Sequence, residues 1–210
     1  MRMAGKTFQR TLDSADLRIR SDEQGGPVVL SGYAVRYEDQ IVLYDSPNYR
    51  VTETIKRGAC RTAVESGQDV RFLIDHNSSL LLGRTRAGTL LLRDDPEGLW
   101  FEVTLPDTQV ARDLAENIRL KNVDQMSFSF IPRSGGESSK TRSESGRAIR
   151  DDEYTDLDLY DVSAVTFPAY KNTTIGFKNR SSEFEKAAWL AERSEKFAKI
   201  EMGREARKVK

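Results

Sequence analysis

Phe72-Leu-Ile-Asp-His-Asn-Ser-Ser79 is the stretch around which the rest of the chain is best understood, because it holds the only histidine among 210 residues. The apolar residues 72–74 are typical of a buried strand, and the polar residues after His76 predict an accessible loop. Imidazole changes charge between about pH 5 and 8, so it suits proton transfer near neutrality. A histidine that ends a rigid strand is therefore a candidate catalytic base, although a lone histidine beside Asp75 and Asn77 is more often an ordinary turn residue.

The composition predicts a soluble cytoplasmic protein that binds neither nucleic acid nor membrane. Lys+Arg and Asp+Glu each number 33, so no overall charge attracts nucleic acid or anionic lipid. The longest apolar runs are far shorter than the ~20 residues that cross a bilayer. The single cysteine, Cys60, excludes an internal disulfide, and one cysteine with one histidine excludes a Cys/His zinc cluster. We expect no cofactor and no metal.

Periodicity predicts many short strands and few helices. The predicted strands cover residues 16–20, 28–37, 41–44, 70–75, 125–131 and 157–166, with a hairpin over 88–105. A short helix is expected over 61–66. A longer helix begins at Asp107 or Thr108 and carries Val110, Leu114 and Ile118 on one face. These elements predict a β-rich α+β domain.

The serines of one strand are candidate nucleophiles. Alternation along 125–131 places Ser127 and Ser129 on the face opposite Phe128 and Phe130. A serine needs a base to take its proton, and that base needs a third group to orient it. His76 supplies the base, but the residues alone leave the nucleophile open among serines, threonines and Cys60, and leave the carboxylate open as well.

Two segments differ in composition from the rest. Residues 133–152 are rich in Gly, Ser and charged residues, which predicts a mobile loop. Residues 181–210 predict a charged C-terminal helix or tail, and its apolar positions form an imperfect stripe.

An ordered set of short motifs resembles the prohead maturation proteases of tailed phages, which are related in fold to the herpesvirus protease assemblin. The motifs are Gly32-Tyr-Ala, Glu53…Ile55…Gly58-Ala59, Asp75-His76-Asn77…Leu82-Gly-Arg-Thr85, Asp95…Gly98-Leu99, Met126-Ser127-Phe128…Phe130 and Asp161-Val-Ser…Val165…Pro168-Ala169. The resemblance implies a herpesvirus-protease-like closed or partly open β-barrel flanked by helices, within a protease domain over 1–180.

The resemblance also implies an activity. A member of this family is a serine endopeptidase that cuts scaffold, or the scaffolding segment of the major capsid protein, and itself, inside the assembling prohead in the host cytoplasm. The resemblance assigns His76 as the base, Ser127 as the nucleophile and Asp161 as the orienting carboxylate. At the position of Asp161 the family commonly has glutamate. Ser129 is a backup nucleophile, and Asp158 ranks below Asp161 because alternation places it on the other strand face.

Three other functions stay open at this stage. A non-catalytic capsid-assembly protein would keep the fold and bind scaffold without cutting it. A cysteine peptidase would pair Cys60 with His76. A metallohydrolase is poorly supported, since one histidine leaves only carboxylates as further zinc ligands. The partners implied by the resemblance are the major capsid protein and scaffold, with a homodimer or higher oligomer through the C-terminal helix. The resemblance also leaves two other roles open for residues 181–210, a helix packed on the domain or a tag that carries the enzyme into the assembling shell. Removal of the basic tip of this segment by self-cleavage is a further expectation.

Overall fold

The strands of this protein form three sheets, as described by a computed structural model for residues 7–12, 17–20 and 26–167. The first sheet has five strands in the order β1-β10-β13-β6-β7, with bounds Phe8–Leu12, Gln125–Pro132, Leu157–Val165, Arg71–Ile74 and Asn77–Arg84. The second has the order β11-β12-β5-β4, with bounds Glu137–Glu144, Arg147–Tyr154, Tyr49–Ile55 and Gln40–Asp45. The third has the order β2-β3-β9-β8, with bounds Arg18–Arg20, Val29–Arg36, Gly98–Thr104 and Leu90–Asp94.

The helices are few in the described part of the chain. They are α1 over Arg61–Glu65, α2 over Gln109–Arg119 and a 3-10 turn over Thr85–Ala87. The hydroxyl of Thr108 accepts from the Ala111 amide and caps α2, one of the two N-caps that the sequence predicts. Leu114 and Ile118 are buried on the predicted face, whereas Val110 is 39% exposed.

The sequence prediction of a β-rich protein is confirmed. None of the three strand orders returns to its first strand, so the described strands do not close a barrel. Likeness to a herpesvirus protease barrel stays a prediction. The C-terminal segment 181–210 lies outside the described residues, and the domain boundary at 180 stays a prediction with it.

The prediction of an irregular loop over 133–152 is wrong. These residues contain β11 and most of β12, which pair antiparallel from Glu137↔Tyr154 to Glu144↔Arg147. Every residue of β11 is exposed, so the strand carries no apolar alternation and resembles a polar loop in composition. The hairpin joins the second sheet because β12 pairs in parallel with β5.

The first sheet brings distant parts of the sequence together. Its central strand β13 pairs antiparallel with β10 and in parallel with β6, which leads to His76. The strand β1, which the sequence pattern does not predict, adds to the free edge of β10. Strands β10, β13 and β6 therefore lie side by side although they are far apart in the sequence.

Candidate active site

A buried polar face forms where β10 and β13 pair. Ser127 lies opposite Ser163, and Ser129 lies opposite Asp161. All four side chains point to the same side of the sheet because the residues alternate along each strand. They are buried, with exposures of 1%, 0%, 2% and 8% for Ser127, Ser163, Ser129 and Asp161. Buried hydroxyls and carboxylates need hydrogen-bond partners, and here one ring supplies several of them.

His76 reaches this face from the tip of a tight hairpin. Ile74 pairs with Asn77, so only Asp75 and His76 connect β6 to β7. Both have positive φ, 49° and 55°, as a two-residue turn between antiparallel strands requires. Glycine and asparagine usually fill such positions, and each non-glycine residue there costs about 1 kcal/mol or more. The polar loop that the sequence predicts is therefore a strained two-residue turn.

The carboxylate of Asp75 ties this turn to the end of β13. Its two oxygens accept from the backbone amide and the hydroxyl of Thr166, at 2.8 and 3.1 Å. The Asp75 amide also donates to the Ala164 carbonyl at 2.9 Å. These bonds join the residue before His76 to the strand that carries Asp161. They stabilise the turn that places the imidazole over the polar face.

The imidazole of His76 bridges a carboxylate and a hydroxyl. Its Nδ1 lies 2.6 Å from Asp161 Oδ1, and its Nε2 lies 2.7 Å from Ser127 Oγ. An ionised carboxylate only accepts, so Nδ1 carries the proton toward Asp161 and leaves Nε2 to face the serine. The three residues that the resemblance assigned to the site are thus brought together in hydrogen-bonding order.

Two further serines surround the carboxylate of Asp161. Ser163 Oγ donates to Asp161 Oδ1 at 2.7 Å and lies 3.3 Å from His76 Nδ1. Ser129 Oγ lies 3.1 Å from the same nitrogen and also bonds the carboxylate. Burial opposes ionisation of Asp161, but the hydrogen bonds from His76, Ser129 and Ser163 outweigh it and hold the pKa of this carboxyl below its usual value.

Ser163 is a site residue that the sequence analysis missed. It lies two residues after Asp161 on the same strand, so period-2 alternation alone would place it on the same face. The backup nucleophile Ser129 lies beside Nδ1 and not beside Nε2, the nitrogen that faces Ser127. Its position supports a role in holding Asp161.

The strand β1 covers Ser127. Thr11 pairs with Ser127, and the Arg10 carbonyl oxygen lies 2.8 Å from Ser127 Oγ. The hydroxyl has one proton and two acceptors within reach, the Nε2 of neutral His76 and this carbonyl. A peptide bond of the chain itself therefore lies against the hydroxyl that faces the base.

Other candidates from the sequence lie elsewhere. Asp158 accepts from Gln68 at 2.5 Å and pairs with Arg133 at 2.7 Å, and no contact with His76 is found for it. Cys60 is buried in the hydrophobic core, where burial raises the pKa of its thiol to about 12 and keeps it neutral. A thiol in that state is a poor nucleophile at neutral pH.

Arg133 and the Gly135-Gly136 pair follow β10 in the sequence and are candidate donors to the oxyanion that forms when a serine attacks a carbonyl. They lie too far along the chain to stabilise charge beside Ser127. Arg133 follows the end of β10, six residues after Ser127 in an extended strand, which is about 20 Å. The amide of Gly136 donates to the Arg133 carbonyl at 2.8 Å.

Within residues 7–12, 17–20 and 26–167, no three His, Cys, Asp or Glu side chains are placed to hold a metal ion. No helix in the same residues has the length and apolar character needed to cross a membrane.

One family model matches most of the chain. The family model described as caudovirus prohead serine protease matches residues 15–187. Among solved structures, the chain is similar to the bacteriophage T4 capsid assembly protease, gp21, with a TM-score of 0.45 and 12% identity over 79% of this chain and 100% of that one. No curated protein matches the sequence with significance.

The hydrogen bonds of Asp75 lead to a first prediction. Asp75→Ala removes two acceptors and places alanine at positive φ, so we expect the free energy of unfolding in urea to fall by about 1–2 kcal/mol. We also expect activity to fall more than stability explains, because His76 loses its fixed position. Asp75→Asn tolerates positive φ and keeps an acceptor, so it should retain most of both; equal loss in the two variants would contradict this role.

The serine donors to Asp161 lead to a second prediction. A lowered pKa in the folded state gives a stability contribution that is lost as pH falls through that pKa. Ser163→Ala removes one donor, so the pKa rises and the loss begins at higher pH. Circular dichroism between about pH 2 and 6 should show that Ser163→Ala unfolds at a higher pH than Ser78→Ala, a control at an exposed position. Identical acid transitions in the two variants would contradict the assigned role.

Proposed function

Because the chain belongs to the caudovirus prohead serine protease family, we propose that it is a working serine endopeptidase with Ser127, His76 and Asp161 as its catalytic residues. The observation that carries this proposal is the imidazole of His76, which bridges Ser127 Oγ at 2.7 Å and Asp161 Oδ1 at 2.6 Å. A base within hydrogen-bonding reach of the nucleophile, oriented by a third group, is the arrangement that serine acylation requires.

In the proposed reaction, Ser127 Oγ attacks the carbonyl carbon of the scissile bond while His76 Nε2 takes the hydroxyl proton. Asp161 accepts from Nδ1 and stabilises the imidazolium that forms. The imidazolium then gives its proton to the leaving amine as the carbon–nitrogen bond breaks. Water hydrolyses the acyl-enzyme by the same steps, and Ser127 regains its proton.

The proposed substrates are scaffold, or the scaffolding segment of the major capsid protein, within the assembling prohead in the host cytoplasm. Family membership supports a role in capsid maturation. Self-cleavage is supported by a contact within the chain, since the Arg10 carbonyl already lies 2.8 Å from Ser127 Oγ. Assembly through the C-terminal helix stays a prediction.

The main alternative is a capsid-assembly protein that binds scaffold without cutting it. The burial of Ser127, with 1% exposed, is the observation that favours it, because β1 leaves no room for a substrate strand. The same burial is expected of an enzyme that stays latent until its own strand departs. Cleavage experiments separate the two.

The triad geometry predicts a specific pattern of variants. Co-expressed with its capsid protein, the wild-type chain should give shortened products, and Ser127→Ala and His76→Ala should give none.

Asp161→Asn should lower turnover by ~10⁴-fold, since it fixes the wrong tautomer of His76. Ser129→Ala and Cys60→Ser should cut. Cutting by Ser127→Ala, or a loss below tenfold in Asp161→Asn, would refute the corresponding role.

The covering strand predicts a lag in activity. A freshly purified chain should cut an added capsid protein slowly at first and faster as its own residues up to Arg10 are lost, because the edge of β10 then becomes free. Intact-mass spectrometry and product formation, followed in the same sample, check this expectation. Full activity from a chain that keeps its N-terminus throughout would contradict it.

A further inference from the structure

The side chain of Arg10 is buried against a carboxylate on another sheet. Arg10 lies across from Phe128, so its side chain passes to the face of β10 opposite Ser127. There its Nε and Nη2 donate to the two oxygens of Glu53, and both residues are buried, with exposures of 3% and 1%. The guanidinium also lies over the rings of Phe8 and Phe130, at 5.4 and 5.8 Å.

The residues around this guanidinium form a pocket that belongs mostly to the body of the protein. Glu53 lies on β5 of the second sheet and closes the pocket, and Phe130 on β10 lines it. Burial raises the pKa of Glu53, and the hydrogen bonds and charge of Arg10, with a hydrogen bond from Tyr154, offset that effect only in part. A desolvated carboxylate of this kind strongly favours a cation beside it.

The strand β1 occupies the position that an extended peptide substrate would take. It pairs antiparallel along the open edge of β10, from Phe8↔Phe130 to Leu12↔Met126. Addition of a strand to a sheet edge is a common way to bind peptides, with pockets for alternate side chains. Ser127 lies against the carbonyl of Arg10, so the side chain in the pocket belongs to the residue whose carbonyl would be attacked.

We propose that Glu53 determines cleavage specificity, selecting arginine immediately before the scissile bond, and that Arg10–Thr11 is the bond that the protein cuts in itself. This inference rests on the proposed function. Ser127 Oγ bonds to the Arg10 carbonyl carbon, the bond to the Thr11 nitrogen breaks, and that nitrogen takes the proton from His76. Water then releases residues up to Arg10 with a free carboxylate.

A purely structural ion pair would explain this contact less well. Buried ion pairs add little net stability compared with apolar side chains of the same size, because both charges lose their hydration. The pair also involves the residue whose carbonyl oxygen lies 2.8 Å from Ser127 Oγ. The two-point contact suits the planar guanidinium of arginine, so lysine should be a poorer substrate.

The test uses the full chain and two synthetic peptides. One peptide copies residues 6–15, Lys-Thr-Phe-Gln-Arg-Thr-Leu-Asp-Ser-Ala, and the other carries Arg10→Gln. Mass spectrometry should show cleavage after position 10 in both the chain and the first peptide, with a new N-terminus at Thr11. We expect Glu53→Gln in the enzyme, or Arg10→Gln in the peptide, to slow cleavage by on the order of 10²-fold.

Two variants distinguish a loss of specificity from a loss of folding. Asp69→Asn removes a partly exposed carboxylate that pairs with Arg84 at 2.5 Å, and it should cut both peptides like the wild type. The double variant Arg10→Glu with Glu53→Arg keeps a buried pair of reversed sign. If residue 53 selects the substrate side chain before the scissile bond, this variant should cut itself after position 10 again. It should also prefer the peptide with Arg10→Glu over the peptide with the natural sequence.

The outcomes separate the inference from the proposed function. Cleavage that needs Ser127 but occurs elsewhere, or proceeds equally in wild type and Glu53→Gln, overturns the specificity role and leaves the protease standing. A double variant that folds by circular dichroism but keeps the natural preference also overturns it. No Ser127-dependent cleavage of any peptide, chain or capsid protein overturns both.

Discussion

The site depends on one imidazole that must reach a sheet face from the end of a neighbouring hairpin. His76 is held by a two-residue turn at positive φ, and Asp75 joins that turn to Thr166 at the end of β13. The strand that carries Asp161 therefore also anchors the residue before His76. Because both contacts involve β13, the pairing of β6 with β13 sets the distance between the ring and the carboxylate.

Burial of the polar face beneath the ring costs free energy. Four buried side chains with hydroxyl or carboxylate groups lie where apolar residues would pack the core without loss. Each of them finds partners in the others or in His76, so the cost of burial is largely offset. The serines around Asp161 keep it ionised, and an ionised carboxylate is what orients and stabilises a protonated imidazole.

The open edge of β10 connects this chemistry to substrate binding. The chain fills that edge with its own strand, and Arg10 extends from it into the pocket closed by Glu53. In this arrangement the strand protects a bare sheet edge and also holds a peptide bond against Ser127. The first sheet carries the proposed catalytic groups, while Glu53 on the second sheet supplies the carboxylate that pairs with Arg10.

Much of this protein can be predicted from its sequence. Alternation in 125–131 placed Ser127 and Ser129 opposite two phenylalanines, and the motif order identified the family and the three residues His76, Ser127 and Asp161. Local patterns failed where a strand has no apolar alternation, as in the exposed β11, or where a short strand forms only by pairing, as in β1. Period and propensity describe neighbours along the chain.

Only the tertiary structure decided which of these groups meet. Ser163 enters the site because β10 and β13 pair in one register, and Glu53 meets Arg10 because two sheets lie against each other. Both contacts join residues far apart in the sequence, and spacing carries no information about register or sheet packing. The amino-acid sequence determined the chemical groups and the strands that carry them, and long-range pairing determined their distances.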